Sequence, residues 1–107
     1  MLLEESQEKS FSQIVSESTE EGLTNVIGKS GSQAVIFNFG LKDRVMDPKR
    51  FHEVMVSVFK ESSALLLEKA IIKEICQKIR VQFNPSTPFS FEKEFSSAKM
   101  NFLKGDF

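Results

Sequence analysis

The stretch that decides the fold is Asp47 to Ile79, DPKRFHEVMVSVFKESSALLLEKAIIKEICQKI. Asp47 and Pro48 open it as a helix would be opened, with an N-cap acceptor followed by proline at the first helical position. Phe51, Val54, Met55, Val58 and Phe59 then fall at i, i+3, i+4, i+7 and i+8, a full apolar stripe on one helical face. Ser62 and Ser63 mark a turn or a cap. Beyond them Leu65, Leu66, Leu67, Ala70, Ile71, Ile72, Ile75, Cys76 and Ile79 cover more than one narrow stripe, so Ala64–Ile79 is expected as a central helix contacted on two sides. Glu74 and Lys78 form an i, i+4 pair in the favourable order.

Outward from this segment the chain stays helical in pattern. Residues 1–20 are rich in Ser and Glu and read as a polar N-terminal arm or helix, with one apolar cluster at Phe11, Ile14 and Val15. Ser18 and Glu21 have the spacing of a capping box ahead of Leu23, Val26 and Ile27. Gly28 can end that helix, and Ser30 or Ser32 can cap the next run, Gln33 to Phe39. That run, QAVIFNF, has strand-like composition, but no neighbouring segment offers it a partner, and helix is the preferred reading. Gly40 suits a C-cap, and Leu41 to Met46 is a connection.

After the central helix, Val81, Gln82 and Phe83 suit a short extended piece, and Asn84-Pro85 and Thr87-Pro88 break any helix. Thr87 or Ser90 caps a last helix whose Phe91, Phe95, Ala98 and Phe102 recur at helical spacing, and Lys104-Gly105-Asp106 ends it. The expected fold is therefore all-α: a single small domain of four to five short helices around one long central helix, with residues 21–104 as the domain proper.

Composition bounds the function. With 107 residues the chain is one domain and buries enough surface to fold without a metal or disulfide. A net charge of −1 argues against a broad phosphate-binding surface, and a single cysteine excludes an internal disulfide. No apolar run reaches membrane-spanning length, and the acidic start MLLEESQEKS is unlike a signal peptide, so a cytoplasmic protein with no membrane partner is expected. Phe 11, Tyr 0 and Trp 0 mean that no aromatic ring carries a polar handle. Phe51 and Phe59 on one helix and Phe91, Phe95 and Phe102 on another either share a core or leave one face for a partner protein or a second copy of the chain; these five are the candidate interaction residues.

No catalytic, cofactor or metal constellation emerges. Gly28-Lys29-Ser30 has the end of a phosphate-loop pattern, but the required first glycine falls on Leu23 and the preceding strand is missing. His52 is the only histidine and reads as a surface or boundary residue. Cys76 reads as a small buried hydrophobe; Lys73 and Arg80 one turn away are the only argument for a reactive thiol. Glu53, Glu61, Glu68 and Glu74 read as solvated faces of lysine-rich helices. Lys69, Lys73 and Arg80 lie close to one face and are the candidates for nucleic-acid binding, weakened by the interleaved Glu68 and Glu74.

From about Ile27 to Met100 the chain resembles the small archaeal signal-output domains of the Nitrosopumilus output domain type, whose biochemistry is uncharacterised. The residues that carry the resemblance are Phe39-Gly40-Leu41, Asp47-Pro48 with Phe51, Phe59, Leu67-Glu68-Lys69, Ile71-Ile72-Lys73-Glu74-Ile75, and Ser90-Phe91 with Phe95 and Ala98-Lys99. The chain departs from that pattern after Phe59, where Lys60, Glu61, Ser62 and Ser63 stand in place of a glycine-containing turn. The resemblance implies a non-enzymatic interaction or signal-output role in an archaeal cytoplasm and carries no catalytic residue. A small DNA-associated transcriptional regulator is the alternative.

Overall fold

The computed structural model describes residues 3–41 and 47–104. Among them every regular element is helical: α1 spans Leu3–Phe39, α2 spans Pro48–Lys78 and α3 spans Phe91–Lys104. Three helices thus stand where four to five were expected. The difference arises because α1 and α2 are each long and interrupted by one residue with non-helical backbone, Gly28 in α1 and Lys60 in α2. The connection expected over Leu41 to Met46, Arg44 included, lies outside the described residues from position 42 on, as does the Gly105-Asp106 stop.

The first arm of α1 buries Phe11, Val15, Ser18, Thr19, Gly22 and Leu23, spaced as one face of a helix. The capping box expected at Ser18 does not form. Helix α1 already runs through that position, and the Ser18 hydroxyl is buried with no hydrogen-bond partner among the described residues. One turn on, Gly22 lets α2 approach so closely that a Cβ there would lie 2.8 Å from both Ile71 Cα and Ile71 N. The Thr19 hydroxyl donates back to the Val15 carbonyl at 2.8 Å, which satisfies it without leaving the helix.

At Gly28 the chain reverses. Its φ of 85° and ψ of 165° belong to a region that essentially only glycine enters. Ser32 then donates to the Glu20 carbonyl at 3.3 Å, although a straight helix would hold residues twelve apart about 18 Å from each other. Ser32 is therefore not the cap expected for the 33–39 run but a buried tie between the two arms, and that run is helical.

Asp47 caps α2 as the sequence implies: its side chain accepts from Arg50 N at 3.2 Å, with proline at the start of the helix. Phe51 and Met55 are buried, with Val54 and Phe59 partly buried against the core. The break falls at Lys60, φ 67° and ψ 168°, two residues before the serines expected to mark it. The second arm then buries Ala64, Leu67, Glu68, Ile71, Ile72, Ile75 and Cys76. It ends in a Schellman arrangement around Arg80, at φ 61°: Val81 N donates to Cys76 O at 2.9 Å and Arg80 N to Gln77 O at 3.4 Å.

Residues 81–90 form no strand; Val81, Phe83 and Phe89 rest against the core from an irregular path. Ser90 caps α3, accepting from Lys93 N at 3.3 Å on its hydroxyl and from Glu94 N at 3.0 Å on its carbonyl. The core is sealed by phenylalanine rings. Phe11 of α1 meets Phe95 edge-on at 5.6 Å and Phe102 at 5.4 Å between ring centres, and Phe51 of α2 stacks on Phe91 at 5.1 Å. Position 20 lies within α1, and Phe11 and Val15 on one side of it share the core with Leu23 on the other.

Candidate functional site

Burial reassigns most of the residues that the sequence singles out. Phe51, Phe91, Phe95 and Phe102 are core residues and present no surface to a partner, and Phe59 is partly buried against the same core. The two apolar faces close on each other, which is the arrangement in which aromatic area contributes most to folding.

Among the described residues the most exposed ring lies elsewhere. Phe37, on the second arm of α1, is 86% exposed. On that arm Val35 and Ile36 lean on the core while Gln33, Ala34, Phe37 and Asn38 face solvent. Phe39, at the end of the same arm, and Val26, just before Gly28 on the first arm, are each 43% exposed. The signal was present in the sequence: Val35, Ile36 and Phe37 are consecutive, and three consecutive residues of a helix cannot all face one core.

Glu68 is the second revision. It does not lie on a solvated face. Its side chain is fully buried and its carboxyl meets His52 Nδ1 at 2.8 Å through Oε2 and 3.0 Å through Oε1. These residues are sixteen apart and on opposite arms of α2, so a straight helix would separate them by about 24 Å. The pair holds the arms folded against each other across Lys60. Burial pushes the Glu68 carboxyl above its ordinary range, and the hydrogen bond and charge of His52 oppose that rise without cancelling it. The spacing could have revealed it, since Ala64, Glu68 and Ile72 are four apart on one face.

Cys76 is buried, and burial raises its thiol, with the Glu94 carboxylate adding to the rise. A reactive thiolate needs the opposite setting. Gly28, Lys29 and Ser30 are exposed at the reversal of α1, and the shallow groove beside them is lined by Glu17, Glu20, Glu21, Thr24, Asn25 and Lys29, an acidic surface unsuited to phosphate. Among the described residues no group of three His, Cys, Asp or Glu is placed to hold a metal ion. No described helix is long and apolar enough to cross a membrane.

Lys69, Lys73 and Arg80 are all exposed. Lys69 extends over the Phe89 ring with its nitrogen 5.7 Å from the ring centre, a cation–π contact that ties the irregular segment to α2. Lys78 is engaged elsewhere, bonding Glu21 of α1 at 2.9 Å and Glu74 at 3.7 Å, while Asn25 donates to Glu74 at 3.3 Å. This polar clamp borders the Gly22–Ile71 crossing.

No protein-family model, no curated protein and no solved structure matches this chain.

Proposed function

We propose that this chain is a non-enzymatic protein-interaction domain of the signal-output kind, docking a partner protein through the outer face of the second arm of α1. The observation that supports the reading is Phe37. Phe37 is 86% exposed and Phe39, two residues on, is 43% exposed, on a helical arm whose Val35 and Ile36 are anchored in the core. Phe37 replaces the buried phenylalanines as the candidate anchor. The archaeal cytoplasmic setting rests on the resemblance over residues 27–100.

The test is capture of partners from native extract by tagged wild-type and Phe37→Ser protein, each split into nuclease-treated and untreated halves. The reading expects a protein retained after nuclease treatment by the wild type and lost with Phe37→Ser, whose helical circular dichroism should match the wild type. A partner retained equally by both proteins sinks it.

A DNA-associated regulator is the second reading, favoured by the common exposure of Lys69, Lys73 and Arg80. It expects material lost with nuclease, and binding that weakens by about 0.9 log units per log unit of salt for each phosphate contacted.

A further inference from the structure

We propose that α2 opens at Lys60 into one continuous helix and that two copies of the chain then exchange the part following Lys60, forming a reciprocal dimer. The partner is a second copy of this chain, and the proposal does not depend on the Phe37 surface.

The argument starts from the hinge. Only Lys60 departs from helical backbone between the two arms, and it does so at φ 67°, ψ 168°, where a side chain is strained. The flanking sequence Val58-Phe59-Lys60-Glu61-Ser62-Ser63-Ala64 contains neither glycine nor proline, the two residues that oppose a continuous helix most strongly. Straightened, the 31 residues of α2 form a rod about 46 Å long. Gly28 is the contrast: it makes a similar reversal without a side chain, so α1 gains nothing comparable by opening.

Exchange also preserves what holds the fold. Gly22 against Ile71, Glu21 with Lys78, Asn25 with Glu74, His52 with Glu68, and Phe11 with Phe95 each join a residue before Lys60 to one after it. In the dimer every one of these contacts is remade between chains. The strained corner is what disappears, and a short strained hinge of this kind favours swapping as concentration rises.

Native residues provide the test. A zero-length carbodiimide couples amines to carboxylates in contact, and Lys78 touches Glu21 across the exchange boundary and Glu74 on its own arm. Isotopically light and heavy protein are mixed, unfolded and refolded together at high concentration. The dimer fraction is isolated by gel filtration, coupled and analysed by peptide mass. The expected result is mixed-label Lys78–Glu21 links, with Lys78–Glu74 links always of one label. A chain that stays monomeric at every attainable concentration overturns the proposal, and so does a dimer whose Lys78–Glu21 links are all of one label. Lys60→Gly relieves the corner and should raise the dimer dissociation constant by roughly thirtyfold, because two hinges each shift by about fivefold to sixfold. An unchanged constant in this variant also overturns it.

Discussion

Gly28 and Lys60 adopt nearly the same backbone conformation, φ 85°, ψ 165° and φ 67°, ψ 168°. Each reverses a long helix with one residue, but only one of the two is free of a Cβ. Strain in this region costs about 1–3 kcal/mol for a residue with a side chain. Lys60→Gly is therefore expected to stabilise the monomer by about 1 kcal/mol and Gly28→Ala to destabilise it by a similar amount or more. Urea unfolding at a concentration where each variant is monomeric measures both. Stabilities that move in the same direction contradict the account.

Gly22 is constrained by its neighbour rather than by its own backbone. A methyl group at this position collides with the Ile71 main chain, which cannot rotate away as a flexible side chain would. Gly22→Ala is expected to lose about 2 kcal/mol or more despite its better helix propensity, a fall in Tm of roughly 10 °C. Calorimetry decides it: a variant as stable as the wild type means that the helices do not cross this closely.

Glu68 makes stability depend on pH. Its carboxyl titrates higher in the folded chain than its ordinary value of 4.5, so the folded state holds the proton more tightly. The Glu68 contribution is fully present below the unfolded value and is lost as pH rises through the raised folded value. Glu68→Gln keeps a hydrogen-bonding group beside His52 and removes the buried charge. The stability of Glu68→Gln relative to wild type should therefore grow as pH rises from 4.5 toward neutrality, read from urea midpoints across that range. A difference that stays flat, or shrinks with pH, reverses the assignment.

Phe11 tests whether the polar N-terminal region belongs to the core. It is completely buried and packs against both Phe95 and Phe102. Phe11→Ala should lose about 3–5 kcal/mol, and Phe95→Asp, which buries a charge on the same cluster, should unfold the chain. A native-like monomer carrying Phe95→Asp contradicts the core role.

Cys76 supplies a probe of that core. Its buried, raised thiol should react with an aromatic disulfide reagent only as fast as the chain opens. Labelling of the folded protein at the rate of a free thiol contradicts its burial.

Local chemistry was legible wherever one residue type dictates it. Asp47 with Pro48 marks the start of α2, Ser90 is one of two cap candidates with Thr87 for α3, and the Phe91, Phe95, Ala98 and Phe102 spacing gives the buried face of α3. Ser62 and Ser63 signal a turn between the arms of α2, but its placement at Lys60 is not legible, because a side chain in a conformation suited to glycine has no sequence signal of its own. Phe11 was ambiguous for another reason: its surroundings are polar, and the rings that cover it belong to a distant helix. The charge of Glu68 points to solvent, while the helical period puts it on the buried face beside Ala64 and Ile72. Ser18 and Glu21 have the spacing of a capping box, but the longer helix overrides that local pattern.

The contact of Phe11 with Phe95 and Phe102 also governs how the molecule comes apart. Helical proteins ordinarily gather themselves from neighbours in sequence, and such contacts form quickly. Here the ring cluster closes between the first helix and the third, with all of α2 intervening. A fragment consisting of α1 and α2 leaves Phe11 facing water, and one consisting of α2 and α3 leaves Phe95 and Phe102 without their cover. Neither is a smaller version of the whole. Such a chain melts in one transition, and a protease that cuts the irregular segment at 81–90 releases pieces that do not persist.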